Sequence, residues 1–291
     1  MACKRMEKTR AKPVTEPQPT KRPRKALRVT RIVLFILLGI IAMTFYERAL
    51  IYYPTQYPNG PWYTDGRGPC AAEDIYFTAE DGTKTHGWWL DNPSSKHVLV
   101  YFHGNAGSIA DRYEWGCQLT QIPASVLMVE YRGYGKSEGT PEEHGIYQDA
   151  RAVWTWLTET RGFEASQIIL YGKSLGGAPA TDLAAQHRPL ALVLQSTFTS
   201  IPDMAKQILP WVPKFLVQTQ FDNERKLPNV QSPVLIIHSR ADDIVPFFMS
   251  EANARAAANL SDHLVFEGYG HNDLVSGRGR DIVAAIAKLI N

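Results

Sequence analysis

Residues 168–177 read IILYGKSLGG, an apolar run followed by a serine set between glycines. The apolar run predicts a buried strand, and a helical pattern begins directly after the glycines. Glycine at positions 172 and 176 permits a strand-to-helix turn so tight that larger side chains would collide. Such a turn exposes the hydroxyl of Ser174 at a helix N-terminus, where developing negative charge is favoured. The stretch therefore predicts a nucleophilic serine at the edge of an α/β sheet.

A phosphate-binding loop is the rival interpretation, because Lys173 and Ser174 follow a glycine. In that motif the first loop glycine would stand at position 167, and the residue there is Gln167. The sequence therefore does not fit a phosphate-binding loop.

Short apolar runs and helical patterns alternate on both sides of this turn. A hairpin comes first, with strands predicted at Asp74–Ala79 and Lys84–Leu90. Six further runs follow, mostly separated by segments with helical periodicity. This order predicts an α/β fold with a mostly parallel, doubly wound, eight-stranded sheet and helices on both faces. The later strands are predicted at His97–Phe102, Val126–Tyr131, Ile168–Tyr171, Ala191–Leu194, Val234–His238 and His263–Glu267, and the helices at Glu143–Thr158, Gly177–His187, Glu251–Asn259 and Arg280–Ile290.

One interval, Thr197–Ser232, is too long for a simple crossover between strands. It contains four prolines and many apolar residues. Such an insertion predicts a helical cap over a site. A helix pair that only packs on the sheet fits the same pattern equally well.

A serine nucleophile needs a general base and an acid that orients the base. His271 lies in a glycine-rich loop after the last predicted strand, and it completes the chain order Ser, Asp, His expected for a serine on such a turn. His238, at the end of the preceding strand, is the alternative base, although a hydrogen-bonded structural histidine fits that position better. The acid is Asp242 or Asp243, which follow that strand at the sheet edge where ligands bind.

Two backbone N–H groups should hold the negative oxygen of a tetrahedral intermediate. One belongs to Leu175, the residue after the nucleophile. The other should come from the loop after the strand His97–Phe102, where the sequence continues HGNAG from His103. We assign this second donor to Asn105.

The charge of the chain is divided unequally. The 291 residues carry a formal net charge of +2, but residues 1–31 hold 11 Lys/Arg and two Asp/Glu, so the rest of the chain carries −7. An uncharged run, residues 32–46, follows the basic segment. Basic residues beside an apolar run set the orientation of a membrane segment and attract anionic lipid headgroups. We therefore expect contact with a bilayer and no nucleic-acid partner. Only one long apolar run exists, which excludes a polytopic membrane protein.

These patterns predict three parts. A disordered basic tail covers residues 1–28, a transmembrane anchor covers 29–48, and one domain covers 49–291, with the cap at about 197–232. Excess Lys/Arg before the anchor would keep the N-terminus cytoplasmic and place the domain on the periplasmic, extracytoplasmic or lumenal side. A cleaved signal peptide is the alternative interpretation of the apolar run.

Cysteine usage points to neither a metal nor a cofactor. Cys3, Cys70 and Cys117 form no CxxC motif or Cys/His cluster, so no metal site and no cofactor is expected. An oxidising compartment would allow a disulfide between Cys70 and Cys117. Two separate buried thiols fit the sequence at least as well.

Five motifs in order resemble the α/β-hydrolase superfamily, in its membrane-anchored branch near the eukaryotic protein depalmitoylases and their microbial relatives. The resemblance covers about residues 45–291. It implies the α/β-hydrolase fold, nucleophile Ser174, acid Asp242 rather than Asp243, base His271 and oxyanion donors Asn105 and Leu175. The motifs are His103–Ala106, Tyr131–Gly139, Gly172–Gly177, Asp242–Pro246 and Gly270–Asp273.

Together these observations predict a membrane-anchored serine hydrolase, of the carboxylesterase or thioesterase kind. Its substrate would be an acyl ester or thioester, with a lipid-like acyl group favoured by the apolar cap. Two alternatives stay open: an aminopeptidase-like serine peptidase of the same fold, and a non-enzymatic scaffold that kept a hydrolase shape.

Overall fold

This computed structural model describes residues 24–62 and 70–290. It divides into two compact units, residues 1–45 and residues 46–291. The second unit contains the sheet and is called the body below. Most of the predicted disordered tail lies outside the described residues.

Helix α1 (Arg24–Ile51) contains the predicted transmembrane segment and begins within the predicted tail. In the parts of the chain that the structure describes, no helix is both long enough and apolar enough to cross a membrane. The predicted anchor over residues 29–48 is therefore not supported.

The body is built on one eight-stranded sheet in the order β10-β9-β8-β7-β4-β6-β3-β2. The six strands from β10 to β6 pair in parallel, and β3 and β2 add an antiparallel edge. The prediction of a mostly parallel sheet in an α/β fold is confirmed. The strands are β1 (Tyr53–Pro54), β2 (Glu73–Thr78), β3 (Lys84–Leu90), β4 (Val98–Phe102), β5 (Ala106–Gly107), β6 (Ser125–Val129), β7 (Ile168–Lys173), β8 (Ala191–Gln195), β9 (Val234–Ser239) and β10 (Leu260–Phe266), of which β1 and β5 form a separate parallel pair.

Central strands of the sheet are buried along their whole length. Every residue of β4, β6 and β8 is buried. Helices cover both faces of a parallel sheet, so its strands read as continuous apolar runs rather than as alternating ones. The helices that follow α1 are α2 (Tyr113–Leu119), α3 (Glu143–Thr155), α4 (Gly177–Gln186), α5 (Ile201–Ile208), α6 (Asn223–Lys226), α7 (Phe247–Ala256) and α8 (Leu274–Ala287).

Two helices begin several residues before their predicted starts, whereas α3 and α4 begin where predicted and end within three residues of the predicted position. Helix α8 begins six residues before the predicted Arg280, and its backbone kinks at Arg278, where φ is −133°. The predicted apolar stripe covers only the part after this kink. Helix α7 begins at Phe247, directly after Pro246, whereas its predicted start was Glu251.

A disulfide joins Cys70 to Cys117, with 5.7 Å between the two Cα atoms. It ties the chain before β2 to helix α2, across a sequence separation of 47 residues. This settles the choice between a disulfide and two separate thiols.

The interval 197–232 contains α5, α6 and two short 3-10 turns. The hydroxyl of Ser200 accepts a hydrogen bond from the N–H of Asp203 and begins α5. The N–H of Arg225 donates to Asp222 in the same way and begins α6. These caps satisfy N–H groups that have no acceptor within their own helix.

Candidate active site

Ser174 lies at a tight turn between β7 and α4. Its φ is +52°, a left-handed backbone conformation that residues other than glycine rarely adopt. The glycines around it are held by close packing. A Cβ on Gly172 would lie 2.3 Å from the carbonyl oxygen of Gly176, and one on Gly176 would lie 2.0 Å from that of Phe102. Only glycine allows the turn to pass so close to the end of β4.

The loop after β4 passes beside this turn. A Cβ on Gly104 would lie 3.6 Å from the Cβ of Ser174, so the loop that carries Asn105 adjoins the serine. The N–H of Asn105 has no hydrogen-bond acceptor among the described residues. Leu175 lies in the first turn after the strand, where backbone N–H groups have no acceptor within the helix. Both predicted oxyanion donors thus lie beside Ser174, and the backbone N–H group of each can donate a further hydrogen bond.

Two tyrosine hydroxyls fix the peptides of this loop. Tyr131 donates to the carbonyl of His103 at 2.6 Å, and Tyr134 donates to the carbonyl of Asn105 at 2.7 Å. Both tyrosines belong to the Tyr131–Gly139 segment, which the sequence singled out without a role. Sequence reasoning therefore missed them as residues that position the candidate oxyanion hole.

The chain just after α1 holds the same loop from another side. The N–H of Tyr53 donates to the carbonyl of Asn105 at 3.0 Å, and the Asn105 side-chain amide donates to the carbonyl of Ile51 at 3.0 Å. Strand β1 pairs in parallel with β5, with Tyr53 opposite Ala106. Backbone and side chain of Asn105 are therefore both fixed.

A buried carboxylate lies beneath this loop. Glu130 is fully buried, and its two oxygens contact Nε2 of His103 at 3.1 Å and accept from the N–H of Ile109 at 2.9 Å. Nδ1 of His103 contacts the carbonyl oxygen of Gly104 at 2.6 Å. His103 thus braces the loop instead of facing the serine.

His271 and Asp242 are joined by a hydrogen bond. Nδ1 of His271 lies 2.9 Å and 3.1 Å from the two carboxylate oxygens of Asp242. The backbone N–H groups of Ile244 and Val245 also donate to Asp242, at 3.0 Å and 2.8 Å. Burial raises the pKa of Asp242, but the His271 hydrogen bond and charge, with the two N–H groups, outweigh it and hold the pKa below its usual value.

The other two candidates take different positions. Asp243 accepts from the backbone N–H of His271 at 2.9 Å and so holds the histidine loop, not its ring. His238 is fully buried, and its Nε2 lies 2.9 Å from the carbonyl oxygen of Val245 and 3.4 Å from Asp242. Of the two candidate acids, Asp242 contacts the imidazole ring of His271; of the two candidate bases, His271 is the one whose ring makes this contact at hydrogen-bond distance.

Three strand ends bring these residues to one edge of the sheet. Ser174, Asp242 and His271 follow β7, β9 and β10, which all run in parallel. Both Ser174 and His271 are described, and no hydrogen bond joins their side chains in this structure. Such contacts are often long in unliganded sites and shorten when substrate is bound.

Lys173, beside the serine, adds a cation to this edge. Burial and the charge of Arg112 lower the pKa of Lys173 to about 8, against the opposing charges of Asp242 and Asp273. Among the described residues, no cluster of His, Cys, Asp and Glu could hold a metal ion.

A cavity of about 580 Å³ lies within the interval 197–232, the predicted cap. Its lining includes Asp203, Lys214, Phe215 and Asp222 and contains none of the predicted catalytic residues. The cavity is therefore not the pocket around Ser174.

Comparison with known proteins identifies the family. The model of the α/β-hydrolase fold matches residues 97–226. A Mycobacterium tuberculosis protein of unassigned function is 35% identical over 270 residues, which are 91% of this chain and 95% of that protein. The α/β hydrolase domain-containing protein WAV2 of Arabidopsis thaliana is 31% identical over 249 residues, 77% of this chain and 80% of that protein.

Among solved structures, an esterase of Pyrococcus furiosus superposes with a TM-score of 0.65 at 19% identity, covering 82% of this chain and 96% of that one. At this identity the likeness concerns the fold alone. Since a relative bearing the family's name aligns over more than three quarters of both chains, and the family's fold model spans the serine turn, this chain belongs to the α/β-hydrolase family.

Proposed function

We propose that the protein is a serine hydrolase that cleaves acyl esters or thioesters through an acyl-enzyme. The observation that carries the proposal is the Asp242–His271 hydrogen bond, at the same sheet edge as a serine held in the left-handed conformation. An orienting acid on the Nδ1 side leaves Nε2 of the histidine as the base.

Each residue has a separate step in this scheme. His271 Nε2 takes the proton of the Ser174 hydroxyl as its oxygen attacks the acyl carbonyl. The N–H groups of Asn105 and Leu175 hold the oxyanion, and Asp242 stabilises the protonated imidazole. His271 then protonates the leaving alcohol or thiol. Water, deprotonated by the same histidine, attacks the acyl-enzyme and releases the acid.

We propose that the body lies in an oxidising compartment, and its disulfide supports this. Disulfides persist in oxidising compartments and are rare in the reduced cytosol. The Cys70–Cys117 bond therefore supports a body in the periplasm, the cell exterior or a lumen, which the sequence also predicts. A substrate in that compartment reaches the enzyme without crossing the membrane.

A fluorophosphonate probe tests the nucleophile directly. The full chain in mild detergent should form one adduct, and mass spectrometry should place it on Ser174. Labelling should vanish in Ser174→Ala and slow by about a thousandfold or more in His271→Ala, because the unaided hydroxyl is a weak nucleophile.

Ser196 offers a matched control for this test. It also has a left-handed backbone, with φ of +50°, and it follows β8, the strand beside β7. Ser196→Ala should label within about twofold of the parent. An adduct on Ser196, or labelling that survives Ser174→Ala, would sink the proposal. Turnover of p-nitrophenyl esters and acyl thioesters of graded length would then define the leaving group and the acyl chain.

A further inference from the structure

The most exposed large apolar side chains of the body's described residues lie together in the interval 197–232. Phe215 is 85% exposed, Trp211 76% and Ile208 68%, whereas no other large apolar side chain described in the body exceeds 55%. All three fall within eight consecutive residues. We call Ile208, Trp211 and Phe215 the apolar ridge. Apolar side chains so exposed and so clustered mark an interaction surface.

We propose that the apolar ridge inserts into the interfacial region of a lipid bilayer. Tryptophan and phenylalanine are the aromatic residues expected on the apolar face of an interfacial segment, with lysines at the level of the headgroups. Lys206 precedes the ridge and Lys214 lies within it, beside Phe215, and both lysines are exposed. The ammonium of Lys214 is paired with the carboxylate of Asp203.

The charge of the segment that carries the ridge favours a lipid surface as its binding partner. Residues 204–221 contain two lysines and no acidic residue. The residues beyond position 31 carry a net charge of −7, so this segment differs in charge from most of the body. An anionic bilayer would repel most of the body and attract Lys206, which contributes about 1 kcal/mol near such a surface, whereas Asp203 offsets the charge of Lys214.

The residues that follow the ridge are hydrogen-bonded to two carboxylates elsewhere in the body. The carboxylate of Glu47 accepts from the N–H groups of Gln218 and Thr219, at 3.1 Å and 2.7 Å. The carboxylate of Glu143 accepts from those of Gln220 and Phe221, at 2.6 Å and 2.8 Å. Four consecutive N–H groups are thus bound by two carboxylates, directly after Phe215–Val217.

The Glu47 contact also fixes where the longest apolar run meets the body. That run, residues 32–46, ends one residue before Glu47. Glu47 in turn is bonded to residues 218 and 219, three and four positions after Phe215. Within the body, Glu47, the residue that follows this run in sequence, therefore lies beside the segment that follows the ridge.

An environment-sensitive fluorophore at position 215 tests this proposal in the full chain. Phe215→Cys in a Cys3→Ser background leaves one free thiol, because Cys70 and Cys117 are bonded to each other. The matched control is Tyr76→Cys in the same background, an aromatic residue of β2 that is 55% exposed. Each variant is labelled with NBD and mixed with vesicles of three parts phosphatidylcholine to one part phosphatidylglycerol.

We expect the NBD emission at position 215 to rise at least threefold and shift to the blue, with quenching by lipids that carry a nitroxide near the headgroup. The label at position 76 should change by less than a quarter. Adding Ile208→Ser and Trp211→Ser should at least halve the rise at position 215. The same response with phosphatidylcholine alone should be weaker.

Three outcomes would overturn the proposal. The first is an unchanged label at position 215 in protein that sediments with the vesicles. The second is the absence of any binding to the vesicles. The third is a rise that follows protein concentration without lipid, which would assign the ridge to a second copy of this chain. All readouts are independent of hydrolase activity, so failure of the ridge and failure of the catalytic scheme are distinguishable.

Discussion

Removing the Cys70–Cys117 disulfide should lower the stability of the body by a calculable amount. The bond closes a loop with a sequence separation of 47 residues. In the chain-entropy model, a loop of this length restricts the unfolded chain by about 4 kcal/mol at 25 °C. For a body of this size, 1 kcal/mol corresponds to about 2–4 °C in Tm, so the loss should be about 8–16 °C.

Urea unfolding of the full chain in detergent, followed by tryptophan fluorescence, measures this loss. Cys70→Ser, Cys117→Ser and the double variant should fall together, since either single change opens the same loop. Cys3→Ser is the control and should match the parent. Dithiothreitol should destabilise the parent and leave the double variant unchanged. A double variant within about 1 kcal/mol of the parent would refute the loop-closure reasoning.

Three further changes test the site. Tyr134→Phe removes one hydrogen bond from the carbonyl of Asn105, and a net loss of about 1 kcal/mol in the transition state would lower kcat/KM about fivefold, with Tm lowered by no more than about 2–4 °C; a kcat/KM within 30% of the parent would contradict that role. Gly176→Ala places a Cβ against the backbone of β4, so it should lower the unfolding free energy by more than about 3 kcal/mol, and a soluble variant with parental Tm would disprove the packing argument. Lys173 has a folded pKa of about 8 against 10.5 in water, so between pH 8 and 10 the unfolded chain holds a proton that the folded chain lacks. Stability should therefore rise with pH there, by at most about 1.4 kcal/mol per unit, and Lys173→Met should remove that slope in denaturation series across this range.

The sheet could be predicted from sequence because each buried strand is a continuous apolar run. The prediction His97–Phe102 differs from β4 by one residue, and Ile168–Tyr171 marks the start of β7. Turn chemistry gave the position of Ser174, since its glycines are required by contacts with the adjacent backbone. These features are local, and local patterns encode them.

Features that depend on distant residues could not be predicted in the same way. The hydroxyl of Tyr134 reaches a carbonyl 29 positions earlier in the chain, and the disulfide spans 47 positions. No periodicity marks either contact. The Tyr131–Gly139 segment stood out as a motif, but its role depends on where the loop after β4 lies once the sheet has formed.

The candidate oxyanion loop is supported by chain segments that lie outside the predicted catalytic residues. Thr55 donates to the carbonyl of Gly107 and accepts from the N–H of Gly135, both at 3.0 Å, so residues 53–57 lie between the loop and the Tyr131–Gly139 segment. Gly135 has φ of +52°, and a Cβ there would lie 2.2 Å from an oxygen of Glu130, the carboxylate that contacts His103. The glycine therefore serves the packing of this loop and not the chemistry. Because the supporting segment begins directly after α1, the end of that helix belongs to the framework that positions the oxyanion donor.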